Sequence, residues 1–294
     1  MLGGRRGFVK GREPPRARTG RRRNLAPPLS VAQDGGARKG EARYTSPLMS
    51  DTTTTAASLD KSGLDKSGKT IRDMFAGVAP RYDLLNHLLS ASLDVIWRRR
   101  SAAVLGLPPG AEVLDLCCGT GDQATALRRR GARVAAADFC VPMLAIARHK
   151  FEKTDAPRPA ALAADALALP FPDRRFAGAT VSFGLRNVAD LDTALRQLAR
   201  VLRPGGKLVV LDATLPARQP LKALYLFYFL RLLPWIGRLI SPRGSAYSYL
   251  ATSVVGFPQR QDFLDRMAAA GFRDLAWEDL SGGTVCIYQG RVPA

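Results

Sequence analysis

Val113-Leu114-Asp115-Leu116-Cys117-Cys118-Gly119-Thr120-Gly121-Asp122 is an apolar, strand-type run that breaks into a glycine turn, with a helix-like run over 123–130 behind it. Such a turn brings backbone N–H groups and a helix N-terminus close to a ligand with no side chain in the way. Sixteen residues after Asp122, a second acid, Asp138, ends another strand-like run, Val134-Ala135-Ala136-Ala137. On the next strand of a doubly wound sheet, a carboxylate at that distance is placed to bind two ribose hydroxyls. A bare strand–turn–helix corner accounts for the loop but not for Asp138. Together the two features predict a site for a nucleoside cofactor.

Dinucleotides and S-adenosylmethionine are the usual occupants of such a site. A pyrophosphate cradle wants G-x-G-x-x-G. Here Ala124 stands at the third glycine, and Asp122 would repel a phosphate. Asp115 and Asp122 suit a ligand with a cationic amino group and a sulfonium, so S-adenosylmethionine is the expected cofactor.

Outward from the loop, strands and helices alternate from Ile71 onward. Residues 113–117, 134–138, 160–164, 179–183 and 207–211 read as strands one to five. Pro142 starts a helix that nearly ends at Phe151. Leu191, Leu195, Leu198 and Leu202 make a helical stripe over 190–202, ended by Pro204-Gly205-Gly206. This alternation predicts a mostly parallel sheet with helices on both faces. The end differs: a helix over 262–270, then strands over 272–277 and 284–289 around Ser281-Gly282-Gly283, predict an antiparallel edge. The expected fold is α/β, with seven strands. Asp165-Ala166 follows strand three, where a side-chain oxygen can accept from an adenine amino group. Ser182-Phe183-Gly184-Leu185-Arg186-Asn187-Val188 ends strand four, where open α/β sheets place their chemistry. The Asn/Asp-Pro-Pro-Tyr/Phe signature of amino-methylating nucleic-acid enzymes is absent there, which counts against base methylation.

The 294 residues carry a net charge of +19 and 46% hydrophobic residues, enough for a sizeable core. The charge is uneven: residues 1–50 hold 12 Lys and Arg against 3 Asp and Glu. That segment lacks an apolar period, and disorder is expected across 1–69, with the ordered domain at 70–294. An organelle transit peptide, an RNA-binding tail and an extension upstream of a natural start at Met49 are the competing readings of it. Cys117, Cys118, Cys140 and Cys286 show neither C-x-x-C spacing nor a nearby His, so neither a metal site nor a disulfide framework is expected. No apolar run reaches the roughly 20 residues needed to span a bilayer.

The chain resembles the quinone-ring C-methyltransferases that act late in menaquinone and ubiquinone synthesis, over about residues 71–290. The resemblance rests on Phe75, on Ala79-Pro80-Arg81-Tyr82-Asp83-Leu84-Leu85-Asn86 with Ser90, on Trp97-Arg98, and on the glycine loop. Leu169-Pro170-Phe171-Pro172-Asp173, 182–188, 200–206, Tyr247-Ser248-Tyr249-Leu250 and 281–285 continue it. Phe-Gly-Leu-Arg-Asn-Val and Tyr-Asp-x-x-Asn are the most specific of these. It implies a Rossmann-like class I S-adenosylmethionine-dependent methyltransferase that methylates a ring carbon of a prenylated hydroquinone. Cys117-Cys118 tilts the expected substrate to demethylmenaquinol; a polyprenyl-methoxybenzoquinol is the alternative, and an RNA methyltransferase a more distant one.

On that resemblance Asp115, Gly119, Thr120, Gly121, Asp138, Asp165, Ala166 and Ser182 are expected to bind the cofactor. Arg186 is the expected cation beside a ring oxyanion, helped by Tyr82; a salt bridge from Arg186 to an acid such as Asp190, and a core role for Tyr82, are the plainer alternatives. Histidine is the usual choice for a general base, but the position of His87 varies in type within the family and is not taken as the base. The apolar segment 221–240, interrupted by Lys222, Arg231 and Arg238, reads as an interfacial helix or as one packed on the sheet or in a homodimer interface. A cytoplasmic protein at the inner membrane face, with no nucleic-acid partner, is implied.

Overall fold

The computed structural model describes residues 66–154, 157–227 and 245–294, residues 245–248 by their backbone alone. Residues 1–65 of the expected disordered extension, and the expected interfacial segment beyond residue 227, lie outside the described residues. Three helices precede the first strand: α1 (Gly68–Val78), α2 (Tyr82–Leu89) and α3 (Leu93–Leu105), with a 3-10 turn at Ala79–Arg81 between the first two. Helix α1 begins at Gly68, just inside the stretch expected to be disordered. Its Ile71 is buried, and its Phe75 packs against Ala79, Cys140 and Met143. That tertiary burial leaves no mark on the polar composition of the segment.

The alternating part runs β1 (Glu112–Leu116), α4 (Asp122–Arg128), β2 (Arg133–Asp138), α5 (Val141–Glu152), β3 (Ala160–Ala163), β4 (Phe176–Ser182), α6 (Leu191–Val201) and β5 (Leu202–Ala213). Then come α7 (Leu221–Phe227), α8 (Ser245–Gly256), α9 (Gln261–Ala269), β6 (Arg273–Leu280) and β7 (Val285–Arg291). The seven strands form one sheet in the order β3-β2-β1-β4-β5-β7-β6. Strands β1 to β5 pair in parallel, and β7 runs antiparallel to both β5 and β6. The sheet therefore ends in the antiparallel edge that the sequence predicts.

Strands β1 and β4 are buried on both faces, as continuous apolar runs in a parallel sheet must be. One face packs on Leu195 and Leu198 of α6 and on Phe263 and Met267 of α9. The other packs on Ala102 of α3, Leu127 of α4 and Leu144 of α5. Asp190 caps α6, its carboxylate accepting from Thr193 N at 3.0 Å. Pro204-Gly205-Gly206 sits inside β5 as a bulge and does not separate helix from strand: Phe176 pairs with Leu202 while Gly178 pairs with Lys207. From β1 the chain winds outward to β2 and β3 on one side and to β4 and β5 on the other. The crevice above the β1 and β4 ends is where such a sheet binds ligands.

Candidate active site

A cleft at the C-terminal ends of β1, β2 and β4 is lined by Gly119, Asp138, Asp165, Ala166, Ser182, Phe183 and Asn187, with Tyr82 and Phe75 from the N-terminal helices. Asp138 accepts from Gly119 N and from Cys140 N, each at 2.8 Å, one on each carboxylate oxygen. Burial pushes its carboxyl upward, against the pull of those amides. Asp165 accepts from Leu167 N at 2.9 Å, so it both shapes a turn and faces the cleft. The Ser182 hydroxyl and the Asn187 side-chain oxygen are buried with no protein partner.

The glycine loop adopts its conformation for steric reasons. Gly121 has φ +86°, and a Cβ there would stand 2.6 Å from the Phe151 ring. A Cβ on Gly184 would stand 2.3 Å from Cys117 Cβ, so the ends of β1 and β4 approach each other only with glycine at that position. Cys117 and Phe183, at the two strand ends, are themselves left-handed, with φ +55° and +59°. Strain at paired loop tips is typical of sites that hold a ligand.

Asp115, Thr120 and Gly121 stand behind the cleft wall. Asp115 is fully buried, accepts from Thr180 Oγ1 at 2.9 Å and keeps its second oxygen unpartnered. Burial pushes its pKa up to about 7. Thr120 Oγ1 donates to Asp83 at 2.5 Å, and Lys150 bridges Asp83 at 2.6 Å and Asp122 at 2.7 Å. The expectation that Asp122 faces a cationic cofactor is thus corrected: at the first position of α4, its charge is taken by Lys150, and it helps latch α2 onto α4 and α5. The thiols of Cys117 and Cys118 are pushed well up by burial and stay protonated. They are packing groups beneath a turn.

A second cavity adjoins the first through Tyr82 and Phe183. Arg186 lines it, buried. Its Nη1 donates to Phe183 O at 2.8 Å and to Asp212 at 2.6 Å. Its salt-bridge partner is therefore Asp212, at the end of β5, and not Asp190, which is occupied in capping α6. Burial works against the Arg186 charge, but Asp212 and the nearby Tyr82 outweigh it and raise the pKa. Arg186 Nε and the second oxygen of Asp212 remain buried and unpartnered.

Asp94 and Arg98, one turn apart on α3, line the same cavity, with Ser90 and Trp97. Asp94 accepts from Ser90 Oγ at 2.9 Å and meets His87 Nδ1 at 3.0 Å. Burial pushes the Asp94 carboxyl up, yet the hydrogen bonds from His87 and Ser90 and the Arg98 charge bring it below its ordinary value. His87 touches neither cavity; it stands behind Asp94, its side chain 39% exposed. His87, Asp94 and Asp122 bring three potential ligand atoms within 4.8 Å of one another. Lys150 on Asp122 and Arg98 beside Asp94 already compensate those charges. Asp94 and Asp212 escape the sequence reading, which holds Asn187 only as part of the 182–188 motif. An acid and an arginine four apart on a helix usually mark a solvated pair, and nothing local announces that this pair is buried.

A doubly wound sheet with this strand order, a cleft at the β1–β4 switch point and a second cavity beside it, has the class I S-adenosylmethionine-dependent methyltransferase fold. A solved S-adenosylmethionine-dependent methyltransferase from Thermotoga maritima shares it, with TM-score 0.54 at 18% identity over 75% of this chain and 99% of that one. Residues 63–291 match the ubiE/COQ5 methyltransferase family. The chain belongs to that family and is a methyltransferase. It is 48% identical to a demethylmenaquinone methyltransferase of Thermus thermophilus, over 75% of this chain and 100% of that protein. It is 42% identical to a ubiquinone/menaquinone biosynthesis C-methyltransferase of Geobacter sulfurreducens, over 77% of this chain and 90% of that protein.

Proposed function

We propose that the protein C-methylates demethylmenaquinol, with S-adenosylmethionine in the first cleft and the ring in the second cavity. The observation that carries this reading is the shared wall: Tyr82 and Phe183 line both cavities, so a methyl donor and an aromatic acceptor meet there. The cleft's residues fit the donor. Gly119, Asp138, Asp165, Ala166 and Ser182 face it directly, while Asp115, Thr120 and Gly121 hold the loop from behind. The unpartnered oxygens of Ser182 and Asn187 await polar groups of a ligand.

When bound, S-adenosylmethionine supplies an electrophilic methyl group. Arg186 acts on the acceptor: it stabilises the ring oxyanion left when the neighbouring hydroxyl loses its proton. A fixed cation in a water-excluded site lowers such a barrier by roughly 3–4 kcal/mol. The ring carbon would then take the methyl as the donor's carbon–sulfur bond breaks and a neutral thioether leaves, and the proton on that carbon passes through solvent to the ring oxygen as the ring regains aromaticity. Tyr82 and Phe183 hold the ring in line, an alignment that contributes several kcal/mol more.

Leu84 (67% exposed) and Leu88 (61%) of α2, Ile96 (59%) of α3, and Leu224 (66%) and Phe227 (63%) of α7 put apolar side chains in solvent on helices that also line the second cavity. This supports a membrane-facing mouth through which a prenyl tail enters. Among the described residues no helix is long and apolar enough to cross a membrane.

The test supplies purified protein with methyl-deuterated cofactor and demethylmenaquinol in detergent micelles, and reads label in the ring by mass spectrometry. Labelled menaquinol is expected. Transfer to a polyprenyl-methoxybenzoquinol, with none to demethylmenaquinol, overturns the substrate.

A further inference from the structure

Arg98 Nε stands 3.7 Å from Asp94 Oδ2, beyond hydrogen-bond reach. The two atoms form an ion pair, but both are buried without a hydrogen-bond partner, and both residues line the second cavity at 3% and 8% exposure. An acceptor and a donor are thus left open side by side. Their disposition repeats that of Asp212 and Arg186, which leave the same two atoms open. Both guanidinium groups lie against the ring of Phe183, at 5.3 Å for Arg98 and 5.8 Å for Arg186. Two carboxylate–guanidinium pairs therefore flank one aromatic wall.

We propose that Asp94 and Arg98 form a second ring-oxygen site, which selects the reduced, dihydroxy form of the acceptor. The inference rests on the acceptor assigned above and adds the residues that read its oxidation state. A hydroxyl satisfies both open atoms, donating to Asp94 Oδ2 and accepting from Arg98 Nε–H. A quinone carbonyl satisfies the arginine alone and leaves the buried carboxylate facing a second acceptor. A site built to accept from a hydroxyl discriminates strongly against an analogue lacking its proton. His87 and Ser90 occupy the other oxygen of Asp94, which leaves Oδ2 without a hydrogen bond on a residue that lines the cavity.

The test measures binding of 2-methyl-1,4-naphthalenediol and of 2-methyl-1,4-naphthoquinone to the full-length protein saturated with S-adenosylhomocysteine, under anaerobic conditions. The diol is expected to bind at least about tenfold more tightly, the size of effect one unpaired buried acceptor produces. In Asp94→Asn the amide can donate to a carbonyl, and the ratio should fall below about threefold. Equal binding by the wild type, or an unchanged ratio in Asp94→Asn, overturns the proposal. S-adenosylhomocysteine affinity reports folding of the variant; if that is lost, Asp94→Ser, whose hydroxyl can also donate to a carbonyl, is read in the same way. A wild type that methylates demethylmenaquinol but binds diol and quinone alike refutes this site and leaves the acceptor assignment standing. Absence of transfer with a strong diol preference does the reverse.

Discussion

Arg186 does two jobs that mutation can separate. It neutralises the fully buried Asp212, and it lines the second cavity, where we propose it meets the acceptor. Arg186→Ala strands a buried carboxylate, which costs about 3–5 kcal/mol of stability. The double change Arg186→Ala/Asp212→Ala removes the stranded charge and should recover most of that loss in urea unfolding. Its methyl transfer should still fall by about 10²–10³; wild-type turnover by the double variant would remove Arg186 from the chemistry. Asp115 behaves differently because burial outweighs the Thr180 hydrogen bond and the Arg98 charge that favour its ionised form. Burial raises its pKa from 3.8 to about 7, so between those values the folded protein holds a proton that the unfolded chain has released. Its contribution to stability therefore declines as pH rises from about 4 and is least favourable above about 7. Asp115→Asn should flatten that decline, so its melting temperature relative to wild type should rise between pH 5 and pH 8. A constant offset across that range would refute the raised acid.

Elements that end in local chemistry could be read from sequence, and elements defined by what covers them could not. The glycine loop, Asp138 and the stripe of α6 are local: a turn, a strand end and a period. The strand assignments are likewise local, because apolar runs between turn residues are strands wherever they pack. Helices α1 to α3 are different. Their sequence is mixed in polarity, since α3 buries Asp94 and Arg98 as well as Ala102 and Leu105. Only the cavity they roof makes those charges sensible. The same contrast misled the reading of Asp122: its position beside the loop suggested a ligand contact, but Lys150 arrives from α5, 28 residues later. Helix α2 carries no buried residue and leaves Leu84 and Leu88 exposed. The pair Leu84→Glu/Leu88→Glu should therefore leave thermal stability within about 0.5 kcal/mol while lowering co-sedimentation with anionic vesicles. Unchanged vesicle binding would move the membrane-facing surface elsewhere.

At the scale of the whole chain, the methyltransferase is smaller than the sequence. The Thermus relative is matched in full by 75% of this chain, and the family match begins at residue 63. Deleting residues 1–48 should leave turnover unchanged. A drop in activity, with cofactor affinity intact, would assign the basic segment a role in catalysis or delivery of the acceptor. The two cavities also draw on different spans of the chain. Everything that lines the first cleft comes from residues 66–189, whereas the second cavity takes Thr284 and Val285 from the closing hairpin. That hairpin is fastened to α3 by Trp97 Nε1–Ser281 Oγ at 2.9 Å and by the Arg100–Glu278 ion pair. Residues near the start of the described fold thus complete the lining of the first cleft, while the second needs the closing hairpin as well. Loosening that hairpin should therefore reach the second cavity and spare the lining of the first.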